Sequence, residues 1–314
     1  MTYRILNTLD LSGCQEALEA FDCIGTVDTI SADYASVFYA IGEYDAYLSS
    51  LKVPVDAALV ARAKKLKIIG TPSTGTDHLD LVAIRNANIV CYDISREFDL
   101  INSFSATSEL AFGALLALNR KICEGRRAVL DGNWGREIFT GFQLLGKTLG
   151  IVGLGRLGRI SARIGNGFGM KVIGCDVRDI VVDDVSVTSF EKVIHEADIL
   201  TIHVHLCQST RGMIDRRVLK QMKSNAILLN TSRGGLIDES ALLEALREGR
   251  IAGACLDVID GEWLKDVRDH PLVQYAQQNE NLLILPHIGG ATHESIYGAR
   301  IFMARKVADY LKNL

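Results

Sequence analysis

Residues 147–158 read Lys147-Thr148-Leu149-Gly150-Ile151-Val152-Gly153-Leu154-Gly155-Arg156-Leu157-Gly158, an apolar run followed at once by Gly-x-Gly-x-x-Gly and then by a helical pattern. The order matters to the chemistry. Gly153 allows a tight turn, Gly155 lets the backbone approach a pyrophosphate, and Gly158 lets the following helix pack close on the strand while its first N–H groups, with Arg156 and Leu157, face the anion. In a chain with 28 glycines the triplet alone carries little, and its place between strand and helix is what makes it a dinucleotide fingerprint. The next apolar run, 171–175, ends at Asp176, where an acid that hydrogen-bonds the adenine ribose hydroxyls belongs, roughly 20 residues on. A carboxylate there repels a 2′-phosphate, so NAD is expected over NADP, although Arg178 offers such a phosphate a partner.

Short Val- and Ile-rich runs recur outward from this motif, at 45–48, 67–70, 87–91, 148–153, 198–204, 226–230, 252–258 and 282–285, with another at the N-terminus. Segments of helical spacing, such as 55–65 and 238–249, lie between most of them. Strands apolar along their whole length and alternating with helices describe parallel sheets covered on both faces. The expected class is α/β, doubly wound. A length of 314 residues favours two such domains.

The composition excludes several partners. A formal charge of −4, from 34 Lys+Arg against 38 Asp+Glu with no long run of either sign, leaves no electrostatic footprint for nucleic acid or an anionic membrane. The N-terminal apolar residues read as a strand, not as a signal peptide, and the apolar stretch 110–119 falls short of the about 20 residues a bilayer needs. Seven cysteines without a Cys-x-x-Cys pair argue against a disulfide framework, so a cytoplasmic setting is expected.

In an open α/β sheet, ligands bind beyond the carboxyl ends of the strands. Three such ends follow the fingerprint. The run 226–230 is succeeded by Thr231-Ser232-Arg233-Gly234-Gly235, the run 252–256 by Asp257 with Glu262 a few residues on, and the run 282–285 by Pro286-His287-Ile288-Gly289-Gly290. Any one of these residues is ordinarily a solvated loop or turn residue. Together they supply what reduction of a 2-keto acid requires: a cation for carbonyl or carboxylate, a proton donor for the new hydroxyl, and a carboxylate to orient and charge that donor.

These motifs resemble the D-isomer-specific 2-hydroxyacid dehydrogenases, the group that includes phosphoglycerate dehydrogenase and hydroxypyruvate/glyoxylate reductases. Residues 147–158 look like the family's glycine signature, 230–238 like its arginine signature and 286–292 like its histidine signature. The resemblance implies that Arg233 holds the substrate, that His287 is the acid/base paired with Glu262, and that Asp257 contacts the nicotinamide carboxamide. With Gly153, Gly155, Arg156, Leu157, Gly158 and Asp176, it implies cofactor contacts from His203 and Thr231. The loop after the run 67–70, with Ser73, Thr74 and Gly75, resembles the family loop that receives the substrate carboxylate. Also implied are a flavodoxin-like substrate domain split into residues 1–97 and 291–314, a Rossmann NAD-binding domain at 98–290, and a homodimer.

The chain departs from the family at three places. His205 stands where proline is common, Leu48-Ser49-Ser50-Leu51-Lys52 lacks the arginines that tend to accompany a phosphorylated substrate, and Ile259-Asp260-Gly261-Glu262-Trp263-Leu264 replaces the usual proline-bearing tail. His203, His205, Cys175 and Cys255 match no zinc spacing, so no metal is expected. The expectation is an NAD-dependent oxidoreductase acting at C2 of a small 2-hydroxy or 2-keto acid. Two rivals are a non-enzymatic NAD(H)-sensing, corepressor-like protein and a dehydrogenase of formate or phosphite type.

Overall fold

The computed structural model describes residues 2–263 and 266–314, so that Leu264 of the departing segment lies outside the described residues. Two compact units divide the chain, Met1–Phe104 with Ala291–Leu314, and Ser105–Gly290. Among the described residues the first unit holds a five-stranded sheet and the second a seven-stranded one.

The first sheet contains β1 (Tyr3–Asn7), β2 (Gly25–Thr29), β3 (Ala46–Leu48), β4 (Ile68–Gly70) and β5 (Val90–Tyr92), in the order β2-β1-β3-β4-β5, with every pair parallel. This is the flavodoxin-like winding. The strand Gly25–Thr29 escapes a hydrophobicity reading because it is an edge strand, Gly-Thr-Val-Asp-Thr, none of whose residues is fully buried. Apolar layers cover both faces, one built around Ile5, Phe21, Leu48 and Ile68 and the other around Leu6, Tyr47, Leu59 and Ile69.

The terminal helix His293–Lys312 closes the first of these layers with Ala299, Met303, Ala304, Val307 and Leu311. Thr292 caps its start by accepting the Ser295 N–H at 3.2 Å. Gly70 makes the close approach possible, since a Cβ there would lie 2.6 Å from Val307. The short helix Phe98–Ile101 also belongs to this unit, with Ile101 buried in the layer that holds Met303. The boundary therefore falls after Phe104, not after residue 97, because an apolar turn read as the start of the next domain packs on the terminal helix.

The second sheet contains β6 (Thr148–Val152), β7 (Lys171–Cys175), β8 (Ser186–Val187), β9 (Ile199–Ile202), β10 (Ile227–Asn230), β11 (Gly253–Leu256) and β12 (Leu282–Ile284). Their order is β12-β11-β10-β9-β6-β7-β8, all parallel, which is the Rossmann winding with its direction reversing between β6 and β9. The exposed two-residue β8 is another edge strand without an apolar signal. Within the span Phe98–Asn119, 18 consecutive residues reach a mean hydropathy of 1.2, apolar enough by length and composition to cross a membrane. Its portion Ala106–Asn119 instead buries Ala111, Phe112, Ala114 and Leu115 against the layer of Leu149, Ile227 and Cys255.

Candidate active site

The fingerprint folds as its glycines require. Gly153, with φ +94°, turns out of β6, and a Cβ on it would lie 2.3 Å from the carbonyl oxygen of His203 at the end of β9. A Cβ on Gly158 would lie 2.0 Å from the Gly153 carbonyl, so the helix Arg156–Gly167 can rest on its turn only because both residues lack side chains. Gly155 differs: a Cβ there would meet nothing within 4 Å. It is the helix N-cap and makes no side-chain hydrogen bond, so no capping side chain occupies the first-turn N–H groups, which suits them to a pyrophosphate. Arg156 and Leu157 follow it, partly buried.

Asp176 leaves β7 with a side chain 7% exposed. One oxygen accepts the Leu154 N–H of the glycine loop at 2.9 Å, and the Arg178 guanidinium grips both oxygens, which holds the carboxyl down at about 2. Across the β6/β9 crevice, His203 Nε2 is 2.9 Å from Ser161 Oγ and 3.1 Å from Thr201 Oγ1. Burial pushes this imidazole down to about 4, so it is neutral. Its Nδ1 and the Thr231 Oγ1 are buried polar atoms without a partner among the described residues. An open glycine cradle, an ionised acid and two unsatisfied polar atoms along one sheet edge fit a bound dinucleotide.

β10, β11 and β12 are in register, with Asn230 beside Leu256 and Leu256 beside Ile284, so the loops that leave them emerge at one level. Asn230 is fully buried and shapes the first loop: its Nδ2 donates to the Arg233 carbonyl at 2.8 Å and its Oδ1 accepts the Ser232 N–H at 3.0 Å. Ser232 Oγ ties the loop to the Ile202 carbonyl of β9 at 2.7 Å. Asp257, 2% exposed, anchors the third loop, accepting the N–H groups of Ile288 at 2.8 Å and Gly289 at 2.7 Å. Burial pushes its carboxyl up, and those two donors pull against the shift.

These bonds hold His287 at φ +55°, the left-handed region that a non-glycine residue rarely occupies. Its Nδ1 is hydrogen-bonded to Glu262 Oε1, and Glu262 Oε2 accepts the Ile259 N–H at 3.1 Å. The two side chains are 18% and 16% exposed, so the pair is largely screened from water. The Trp263 indole stacks on the imidazole with ring centroids 5.7 Å apart and planes at 27°.

The structure thus brings Glu262 and His287 into direct contact and places Arg233, Asp257 and Thr231 on neighbouring strand ends. Ser73, Thr74 and Gly75 lie in the first unit on the loop leaving β4, where Ser73 Oγ accepts the Gly75 N–H at 3.1 Å. Sequence reasoning missed Asn230, Ser161 and the stacking role of Trp263. Asn230 left a signal, a polar residue closing an apolar run; the other two partnerships join residues far apart in the chain. Among the described residues no group of three or more His, Cys, Asp or Glu gathers as a metal site.

Comparison with known proteins gives the family. Residues 112–289 match the model of the D-isomer specific 2-hydroxyacid dehydrogenase NAD binding domain. The chain is 36% identical over 283 residues to a glyoxylate reductase of Thermococcus litoralis, covering 87% of this chain and 82% of that protein. It is 32% identical over 308 residues to a D-3-phosphoglycerate dehydrogenase of Methanocaldococcus jannaschii, covering 95% of this chain but only 56% of the relative. Among solved structures, a glyoxylate reductase from Paecilomyes thermophila superposes with a TM-score of 0.85 at 25% identity, covering 99% of this chain and 96% of that one. A D-lactate dehydrogenase from Aquifex aeolicus, complexed with NAD and lactic acid, shares the fold with a TM-score of 0.87 at 24% identity over 99% of this chain and 96% of that one. The chain belongs to the D-isomer-specific 2-hydroxyacid dehydrogenases, a family of NAD-dependent enzymes, and residues 112–289 form its NAD-binding domain.

Proposed function

We propose that this protein interconverts a small 2-keto acid and its D-2-hydroxy acid, with His287 as acid/base, Glu262 as its partner and Arg233 as the group that holds the substrate. The observation that carries this reading is the Glu262–His287 pair, half-buried at the carboxyl end of a Rossmann sheet. The nicotinamide, when bound, supplies or receives the hydride at C2. With Nδ1 committed to Glu262, His287 exchanges its proton through Nε2, giving it to the nascent alkoxide in reduction and taking it from the hydroxyl in oxidation. Glu262 fixes the ring plane and leaves Nε2 as the nitrogen that exchanges the proton. The Arg233 guanidinium presents a planar fork of donors to carbonyl or carboxylate oxygens.

A non-phosphorylated substrate fits the absence of arginines from Leu48-Ser49-Ser50-Leu51-Lys52, and glyoxylate reductases are among the similar proteins. We also propose a cytoplasmic homodimer. The test is a panel of glyoxylate, hydroxypyruvate, pyruvate and branched 2-keto acids assayed with NADH, with sizing of the purified protein. Turnover of at least one 2-keto acid to the D-isomer supports the reading. NADH binding without turnover of any would overturn it in favour of cofactor sensing.

A further inference from the structure

One buried carboxylate outside the reacting pair touches the loop that carries Glu262. Glu239 opens the helix Glu239–Arg247 with its side chain 17% exposed. Its Oε1 accepts the backbone N–H of Asp260 at 2.8 Å, and its Oε2 lies 3.1 Å from Nε2 of His270. His270 is also the N-cap of the helix Pro271–Ala276, accepting the Leu272 N–H at Nδ1, 3.3 Å away. A ring nitrogen that accepts carries no proton, so the imidazole N–H sits on Nε2 and donates to Glu239. Burial pushes the Glu239 carboxyl up, while the Asp260 N–H and His270 oppose that shift.

The chain around this peptide is confined as well. Glu262 accepts the N–H of the peptide before it, that of Ile259, at 3.1 Å. Gly234, next to Arg233, packs directly on the peptide that Glu239 holds: a Cβ there would lie 2.1 Å from the Ile259 carbonyl carbon and 2.2 Å from the Asp260 nitrogen. The Asp260 carboxylate takes no part, being half exposed and 3.3 Å from Arg211. The peptide joining Ile259 to Asp260 is therefore clamped between the arginine loop and Glu239.

We propose that Glu239 and His270 are positioning residues: they hold the Ile259–Asp260 peptide against Gly234 and thereby set where Glu262 meets His287 relative to Arg233. This rests on the reading of Glu262 and His287 as the acid–base pair. Neither Glu239 nor His270 touches the reacting atoms, and both act through the loop. Displacements of about 1 Å at a reacting group cost on the order of 100-fold, so a modest loosening of this peptide is catalytically visible.

The chain has two tryptophans, of which Trp134 is 85% exposed and Trp263 stacks on His287, so a Trp134→Phe protein carries one reporter beside Glu262. In that background, Glu239→Ala and His270→Asn are compared with the parent. Asn keeps an N-cap acceptor for Leu272 but does not reach Glu239, which separates the brace from helix capping. Acrylamide quenching of Trp263 should rise in both variants, kcat for 2-keto acid reduction should fall about 10- to 100-fold, and NADH affinity should hold. Glu239→Ala placed on Glu262→Gln should cost little beyond Glu262→Gln alone, because the first acts through the second. Unchanged quenching, or losses in kcat that multiply in the double variant, would overturn the proposal. Lack of turnover in the parent would refute the acid–base reading, while quenching would still decide whether Glu239 and His270 fix the loop.

Discussion

The guanidinium of Arg178 grips the carboxylate of Asp176 in a fork, Nε on one oxygen at 2.9 Å and a terminal nitrogen on the other at 3.0 Å. With Leu154 N–H on the same carboxylate, Asp176 stays ionised down to about pH 2 and Arg178 is engaged with it. A 2′-phosphate would have to displace that fork and sit beside a fixed negative charge, a cost on the order of 1–3 kcal/mol. NADH should be preferred over NADPH by roughly 5- to 150-fold in kcat/KM. Asp176→Ala should narrow the gap by freeing Arg178, and equal kcat/KM for the two cofactors in the parent would contradict the assignment.

Gly155 and Gly158 should fail differently when changed to alanine. A Cβ on Gly158 meets the Gly153 carbonyl at 2.0 Å, so Gly158→Ala should lower the urea midpoint markedly. A Cβ on Gly155 meets only open space, so Gly155→Ala should keep the parent's stability within about 1 kcal/mol and lose NADH affinity about tenfold or more. Titration of NADH fluorescence beside urea unfolding checks both.

Arg233→Lys should be poorly tolerated, because an ammonium acts as a point charge where a guanidinium engages two oxygens at once. A loss of at least about tenfold in kcat/KM for the keto acid, with NADH affinity preserved, is the expected outcome. Near-full kcat/KM would remove Arg233 from substrate binding.

His287→Ala should lower kcat by about 10²- to 10⁴-fold while leaving NADH binding nearly intact. Glu262→Gln keeps the shape of the pair and removes its charge. Reduction needs a proton on the imidazole Nε2, and a partner that no longer carries the orienting charge should lower kcat for reduction about tenfold or more while NADH affinity holds. An unchanged kcat in Glu262→Gln would dissolve the pairing.

His203 should make the fold acid-sensitive. Its burial holds the folded imidazole at about 4, against an ordinary value of 6.5. Between those values the unfolded chain binds a proton that the folded chain refuses, so stability declines as pH falls from 6.5 through about 4. His203→Asn removes this term, and its urea midpoint should fall less steeply across that window than the parent's. Parallel slopes would show that the imidazole titrates freely in the folded state.

Much of the site was legible because its signals are local. Residues 147–158 carry strand, turn and helix start within one continuous stretch, Asp176 and Asp257 follow their strands directly and Arg233 and His287 stand three residues beyond theirs, so the rule that ligands meet the carboxyl ends of strands locates them. Two of the four edge strands were not legible: β2 and β8 bury too little to need an apolar pattern.

The sequence by itself determined the α/β class and the dinucleotide fingerprint and singled out the residues proposed to carry the chemistry, since each follows from hydrophobic periodicity and from what glycine, arginine, carboxylate and imidazole can do. Only the tertiary structure decided that Asp257 spends its carboxylate on holding the 287–289 turn, that Trp263 covers the imidazole, that Phe98–Ile101 belongs with the terminal helix, and that Glu239 and His270 clamp the loop before Glu262. Each of these joins groups distant along the chain through hydrogen bonds and packing that form only once the sheet has brought their strands together. No local pattern encodes such a distance.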